Sequence, residues 1–454
     1  MGQLLSHPLT EKSIIYNDYK HCTKLLESNH RNSITVDDDS KYQTPRYFNC
    51  IGSMQGYRLT QEDAHLIVND NYNDSSQLQY VQFYNPFKDK MENLKLSIFG
   101  VFDGHGSDEC SNFISGEYGR QLCNNNNGNG KKNKKKKNSD DKSNKDIDSD
   151  EDFVPASEQY KQGLAKWIKY SFENHLYGVE GILIKGRKVQ RGFKTLEGLI
   201  SQILKDSYML QDQELFKYYS RSSSGSTAVV AIIINDKNLY VANCGDSRCV
   251  LSSKSNGTKT MSFDHKPQHI GELLRINDNG GTVSLGRVGG VLALSRAFGD
   301  FQFKRNIVYN KTTPVQVLQN MNGSEEAEGS EGGILKHTGI PAQESQVTVE
   351  PDVLMHKINY SKDEFLVLAC DGIWDVYSNK QLVNFIKYHL TLGIKLDSII
   401  TKLLDHGIAQ ANSDTGIGFD NMTVIIVILN KPGESLSDWY AKMKARLERE
   451  KGIV

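Results

Sequence analysis

Apolar positions along the chain recur in two rhythms. Short runs rich in Val, Ile and Leu, at Leu96–Phe102, Ser226–Ile234, Leu239–Asn243, Arg248–Leu251, Phe365–Cys370 and Met422–Leu429, predict β-strands. Several follow one another closely, and Asn235-Asp236 marks a tight hairpin turn between two of them. A second set repeats at helical spacing. Leu199, Ile203 and Leu210 stripe Leu196–Tyr219, and Leu382, Ile386 and Leu390 stripe Lys380–Leu390 behind a Ser378 cap. From about Ser437, Trp439, Met443 and Leu447 share one helical face. These stripes read as packing faces. Consecutive strands with helices gathered outside them predict an α+β layered fold.

Two segments break the pattern. From about Asn124 to Asp152 an asparagine run, KKNKKKK and an aspartate-rich tail offer almost no apolar surface to offset ordering entropy. This predicts a solvated inserted loop, and Lys131 to Lys137 within it reads as part of that loop and not as an import signal. Asn310 to Gln346, with the acidic NGSEEAEGSEGG, reads as a second loop insertion. The expected organisation is an N-terminal extension over 1–48, a main domain over 49–430 carrying both insertions, and a C-terminal helix over 431–454.

Composition adds limits. With 454 residues, 38% apolar and 24% charged, the chain reads as soluble and globular. A formal net charge of -1 gives no global attraction to nucleic acid, and none is expected as a partner. Seven cysteines without C-x-x-C spacing, and no recognisable secretory leader, predict buried thiols in a reducing intracellular compartment. The longest apolar runs, Ala228 to Ile234 and Val424 to Leu429, fall well below the roughly 18 residues of a membrane span. Met1-Gly2-Gln3-Leu4-Leu5-Ser6 fits the N-myristoylation pattern, so Gly2 is a candidate lipidation site giving reversible membrane contact.

The chemistry lies in where carboxylates fall. Asp103 ends SIFGVF, Asp371 ends FLVLAC, Asp246 follows LYVANCG, Asp420 precedes MTVIIVIL, and Glu62 and Asp63 precede AHLIV. If those strand ends meet at one rim, their mutual repulsion suits a hard cation such as magnesium or manganese. Asp-Gly is also a hairpin signal, but Asp103-Gly104 and Asp371-Gly372 both run into helix-like sequence. His105 stands beside this set as a candidate proton donor, and the fork of Arg58 suits phosphate oxygens. The SSSGST stretch lacks a P-loop signature and reads as the lead-in to a strand, and there is no G-x-S-x-G or H-E-x-x-H motif.

Nine blocks, in order, resemble the signature of the type 2C metal-dependent protein phosphatases, the PPM family. They are YRLTQEDAH (57–65), FGVFDGHG (99–106), SGSTAVV (224–230), NCGDSR (243–248), DHKP (264–267), LALSRAFGD (292–300), EPDV (350–353), LACDGIWDV (368–376) and DNMTV (420–424). The opening MGQLLSHPL also resembles the lipidated starts of some members. The resemblance implies a four-layer αββα sandwich, two antiparallel sheets flanked by helices. It implies that Asp103 bridges two divalent cations, with the Gly104 carbonyl, Asp371, Asp420 and Glu62 as further ligands. Asp246 and Asp375, with Asp371, match a weaker third metal position. Arg58 matches the phosphate-binding arginine and His105 the proposed general acid. The expected reaction is hydrolysis of phosphoserine and phosphothreonine in proteins by a metal-bridging hydroxide, without a covalent intermediate. Leu274 departs from the pattern, where a charged residue is more usual.

A phosphoprotein-binding scaffold should have lost ligands, whereas every mapped catalytic position is occupied; a nuclease should ring the site with basic and aromatic residues. A monomer is expected. Cytoplasm, a lipid-tethered membrane location and the nucleus all stay open.

Overall fold

The computed structural model describes residues 4–17, 45–69, 80–116, 163–182, 189, 191–255, 257–304, 307–308 and 340–451. Twelve strands build two large sheets. In chain order they are β1 (Leu4–Asn17), β2 (Asn49–Arg58), β3 (Ala64–Val68), β4 (Tyr80–Asn85), β5 (Lys90–Phe102), β6 (Ala228–Ile234), β7 (Asn238–Cys244), β8 (Arg248–Ser253), β9 (Gly257–Thr260), β10 (Asp352–Lys357), β11 (Asp363–Ala369) and β12 (Met422–Ile428). One sheet runs β1-β2-β12-β11-β8-β9 and the other β10-β7-β6-β5-β3, with β4 also on β5. Every pairing within them is antiparallel.

The two-residue period of a strand sorts side chains between layers. On β6, Val229, Ala231 and Ile233 face the other sheet and join its core. Ala228, Val230, Ile232 and Ile234 face the opposite way, into a second core with the helices α1 (Glu109–Ser115), α2 (Leu164–Asn174) and α3 (Leu196–Tyr219). Three further helices, α4 (Asn379–Thr391), α5 (Leu396–Ala409) and α6 (Leu436–Glu450), bury their apolar stripes on the outer face of the first sheet. The result is the expected α+β sandwich, sheet on sheet with helices on both outer faces.

Local signals act as read. Asn235 and Asp236 both take positive φ in the β6–β7 turn. Ser378 caps α4 through a capping box with Gln381. Five described cysteines, Cys50, Cys110, Cys244, Cys249 and Cys370, are free and buried. Among the described residues no helix is long and apolar enough to cross a membrane.

Two boundaries need correction. Leu4–Asn17, assigned by sequence to an N-terminal extension, is an edge strand: Ile14 pairs with Gly52 and Tyr16 with Cys50, and Tyr47 is fully buried in the core. The loop insertion read as reaching Gln346 ends sooner, because Ile340–Pro341 pairs in parallel with Ile307–Val308, and Ser345 is buried. The longer insertion is followed by α2, with Leu164, Ile168 and Phe172 in the core. Its low-complexity part, the Lys131 to Lys137 run and Gly2 lie outside the described residues.

Candidate metal centre

Strand ends deliver the carboxylates. β5 stops at Phe102, placing Asp103 at its tip; β11 stops at Ala369, and Asp371 opens a one-turn helix, Asp371–Trp374, after Cys370. Asp420 sits two residues before β12, which is registered beside β11 with Ala369 opposite Val424. The turn after β7 passes through Gly245 at φ 110°, carrying Asp246 to the same rim.

Oxygens of Asp103, Asp246 and Asp371 lie within 4.8 Å of one another. A second cluster joins Asp103 to Asp63 and to Cys370 Sγ within the same limit. The Asp371 amide faces Asp103 Oδ2 at 3.4 Å. Glu62 is fixed through its backbone: its N–H donates to Asn421 Oδ1, and its carbonyl accepts from Ser111 Oγ. A Cβ on Gly104 would stand 2.2 Å from that carbonyl, so the Asp103-Gly104 corner requires glycine.

This arrangement is electrostatically costly. Burial, then the charges of Asp371, Asp63, Asp420 and Asp246, push the Asp103 carboxyl well above the usual range. Asp371 is raised likewise by burial and by Asp246, Asp420 and Asp375. Burial lifts Asp63 to about 7, with Asp420 adding to it against relief from Thr423, Cys370 and Arg58. Both Asp63 oxygens are buried without a hydrogen bond of ordinary geometry. Asp375 is raised by burial, partly offset by Lys266.

Two cationic side chains touch the rim. Arg58 closes β2 and donates from Nη2 to Asp420 Oδ2 at 2.5 Å, so it pairs with Asp420 and not with Glu62 four residues on. Lys266 pairs with Asp246. His105 Nε2 lies 2.7 Å from Asp300 Oδ2. Burial lowers the His105 pKa, but the charge and hydrogen bond of Asp300, with Asp246 and Glu62, turn the balance upward.

The structure thus gathers Asp103, Asp246 and Asp371 directly, with Asp420 and Asp375 in electrostatic reach and Glu62 packed against Gly104. Sequence reading noted Asp63 beside Glu62 without giving it a role, and it missed Asp300, Lys266 and Cys370. All four stood inside quoted motifs. A buried, mutually repelling set of carboxylates with orphaned oxygens fits hard divalent cations.

Comparison with known proteins agrees. In fold the chain is similar to a solved phosphatase from Toxoplasma gondii, at TM-score 0.50 and 17% identity, covering 92% of this chain and 96% of that one. That likeness is one of fold, an α+β sandwich of the kind built here around an acidic rim. The profile of the family described as Protein phosphatase 2C matches residues 180–416. The chain is 59% identical over 456 residues to protein phosphatase 2C homolog 4 of Saccharomyces cerevisiae, covering 100% of both. It is 30% identical over 402 residues to protein phosphatase 2C homolog 2 of Schizosaccharomyces pombe, covering 88% of this chain and 78% of that one. The chain belongs to the protein phosphatase 2C family and is a protein serine/threonine phosphatase.

Proposed function

We propose that the chain hydrolyses phosphoserine and phosphothreonine in proteins by direct attack of water on phosphorus, with no phosphoryl-enzyme. The observation that carries this reading is the convergence of Asp103, Asp246 and Asp371 within 4.8 Å, with Asp63 against Asp103. Asp103, the Gly104 carbonyl, Asp371, Asp420 and Glu62 would hold two divalent cations, magnesium or manganese, and Asp246 and Asp375 with Asp371 a third. Bound there, such ions lower the pKa of water and offset charge on phosphoryl oxygens.

The chain's own residues do the rest. Arg58, its side chain 38% exposed, pairs with Asp420 at the rim and can exchange it for a phosphoryl group. As imidazolium, His105 donates its Nε2–H to Asp300, so Nδ1–H is the donor left for the departing serine or threonine oxygen. Burial pushes the Cys370 thiol far up, which argues against a cysteine nucleophile despite its place beside Asp103.

A phosphothreonine-peptide assay with manganese tests this. Asp103→Ala and Asp371→Asn should each cost at least 100-fold in kcat, a loss on the order of 3 kcal/mol in the barrier, and chelator should abolish turnover. Chelator-resistant turnover would contradict the reading.

We also propose reversible membrane contact through acylated Gly2. In support, Met1-Gly2-Gln3-Leu4-Leu5-Ser6 fits the N-myristoylation pattern. Mass spectrometry of the native N-terminus tests it; an unacylated Gly2 would refute it.

A further inference from the structure

Beside the acidic rim lies a second, smaller construction that shares only Gly104 with the proposed cation ligands. Gly104–His105, Gly225–Ser226 and Phe298–Gly299 form a three-stranded sheet of two-residue strands, with Gly225–Ser226 in the middle. In register, His105 and Gly299 flank Gly225 from either side. The residue after Gly299 is Asp300, and its Oδ2 meets His105 Nε2 at 2.7 Å above that glycine.

Three observations show that this contact is built. First, a Cβ on Gly225 would lie 2.3 Å from Asp300 Oδ2 and 2.4 Å from His105 Nε2, so the middle strand must be glycine there for the two groups to meet. Second, Asp300 adopts φ 49°, ψ 39°, a left-handed conformation that L side chains seldom take, held by its N–H on Ser224 O. Third, the neighbouring chain is clamped from α3. Asp212 accepts from Gly299 N–H at 2.9 Å and from Lys304 Nζ at 2.8 Å, and Lys304 also donates to Ala297 O, with the Asp212–Lys304 pair 1% and 2% exposed. The Asp300 side chain is 2% exposed, whereas that of His105 is 29% exposed. The carboxylate is walled in and the imidazole is partly open to solvent.

We infer that Asp300 is a positioning residue for His105, fixing the orientation of the imidazolium ring so that Nδ1–H faces the leaving oxygen of the substrate. A carboxylate on one ring nitrogen commits that nitrogen as donor, which leaves the other for the substrate. This rests on the reading of His105 as the proton donor. As the bond from phosphorus to the threonine oxygen breaks, that oxygen takes the Nδ1 proton of the His105 imidazolium and leaves as a hydroxyl, while the attacking water supplies the new oxygen of inorganic phosphate and one of its two protons restores the imidazolium. An ion pair serving stability alone would have no stake in which group leaves.

The leaving group therefore supplies the test. An alkoxide needs a proton as it departs, whereas p-nitrophenolate is stable as an anion. kcat would be measured at saturating manganese on a phosphothreonine peptide and on p-nitrophenyl phosphate, for wild type, His105→Ala, Asp300→Ala, Asp300→Asn and the double variant His105→Ala/Asp300→Ala. General-acid contributions run to about 100-fold or more, so Asp300→Ala should fall at least tenfold further on the peptide than on the aryl ester. The double variant should be no slower on the peptide than His105→Ala. Asp300→Asn, nearly isosteric, should show the same selectivity in smaller degree, and it carries the test if the alanine variant does not fold. Equal losses on both substrates in the Asp300 variants, with His105→Ala still selective, would overturn the positioning role and leave the proton donor standing. Equal losses in His105→Ala would overturn both.

Discussion

Asp63 illustrates how a single carboxylate can work against the fold that carries it. Its oxygens are buried without ordinary hydrogen bonds, and burial raises its pKa to about 7. For a carboxyl whose folded pKa is raised, ionisation is easier in the unfolded chain. Stability of the chelated protein is therefore highest below about pH 4 for this group, and falls as pH rises towards 7. Asp63→Asn should raise the Tm of the chelated protein at pH 7.5 by several degrees, a gain on the order of 2–4 kcal/mol, while lowering kcat with manganese. A lowered Tm in chelator would show that the Asp63 charge is not a liability. Asp63 was visible in sequence beside Glu62. Its role was not, because the clash with Asp103 joins positions 40 residues apart by number alone and is created by folding. Asp300 is the same case, since its partner His105 lies 195 residues away.

Elements were legible in proportion to their burial. β5, β6, β7, β8, β11 and β12 carry continuous apolar runs because both faces are covered, and α3 matches its sequence reading over Leu196–Tyr219. β1 escaped because its pattern, LLSHPLTEKSIIYN, is mostly solvent-facing and interrupted by Pro8; only pairing with β2 makes it a strand. Removing residues 1–17 would delete the packed side chains of Tyr16 and Ile14 and expose the β2 edge, and should cost about 3–5 kcal/mol in urea unfolding, from two lost side-chain burials. An unchanged midpoint would return the segment to the status of an extension. The Ile270–Asp278 helix is held differently, through Glu272, whose carboxylate takes Arg296 at 2.7 Å and Arg275 at 2.8 Å. Burial would raise the Glu272 pKa, but Arg296 and Arg275 hold it at about 2. Its folded pKa is depressed, so its contribution is present above about pH 4.5 and fades as pH falls towards 2. Glu272→Gln should lower Tm by several degrees at pH 7, and the difference from wild type should close between pH 4 and 2.5. A gap that persists to pH 2.5 would assign the loss to packing.

At the scale of the molecule, the sandwich brings residues from the whole length of the chain to one rim. Asp103 tips a strand of one sheet, while Asp371 and Asp420 belong to adjacent strands of the other, so the centre exists only when the two sheets are packed together. Helices on the outer faces contribute packing and leave that rim open. This explains why strand-end aspartates could be marked from sequence while their distances could not: alternation predicts which end a residue occupies, and sheet order decides what it meets. The measurement that tests the account most directly is manganese binding, followed by electron paramagnetic resonance of the free ion during titration of the folded protein at pH 7.5. Wild type should bind at least two manganese ions per chain. Asp103→Ala, which touches both carboxylate clusters, should lose that binding by at least tenfold in affinity while keeping its circular dichroism. Undiminished stoichiometry and affinity in Asp103→Ala would contradict a metal centre at this rim.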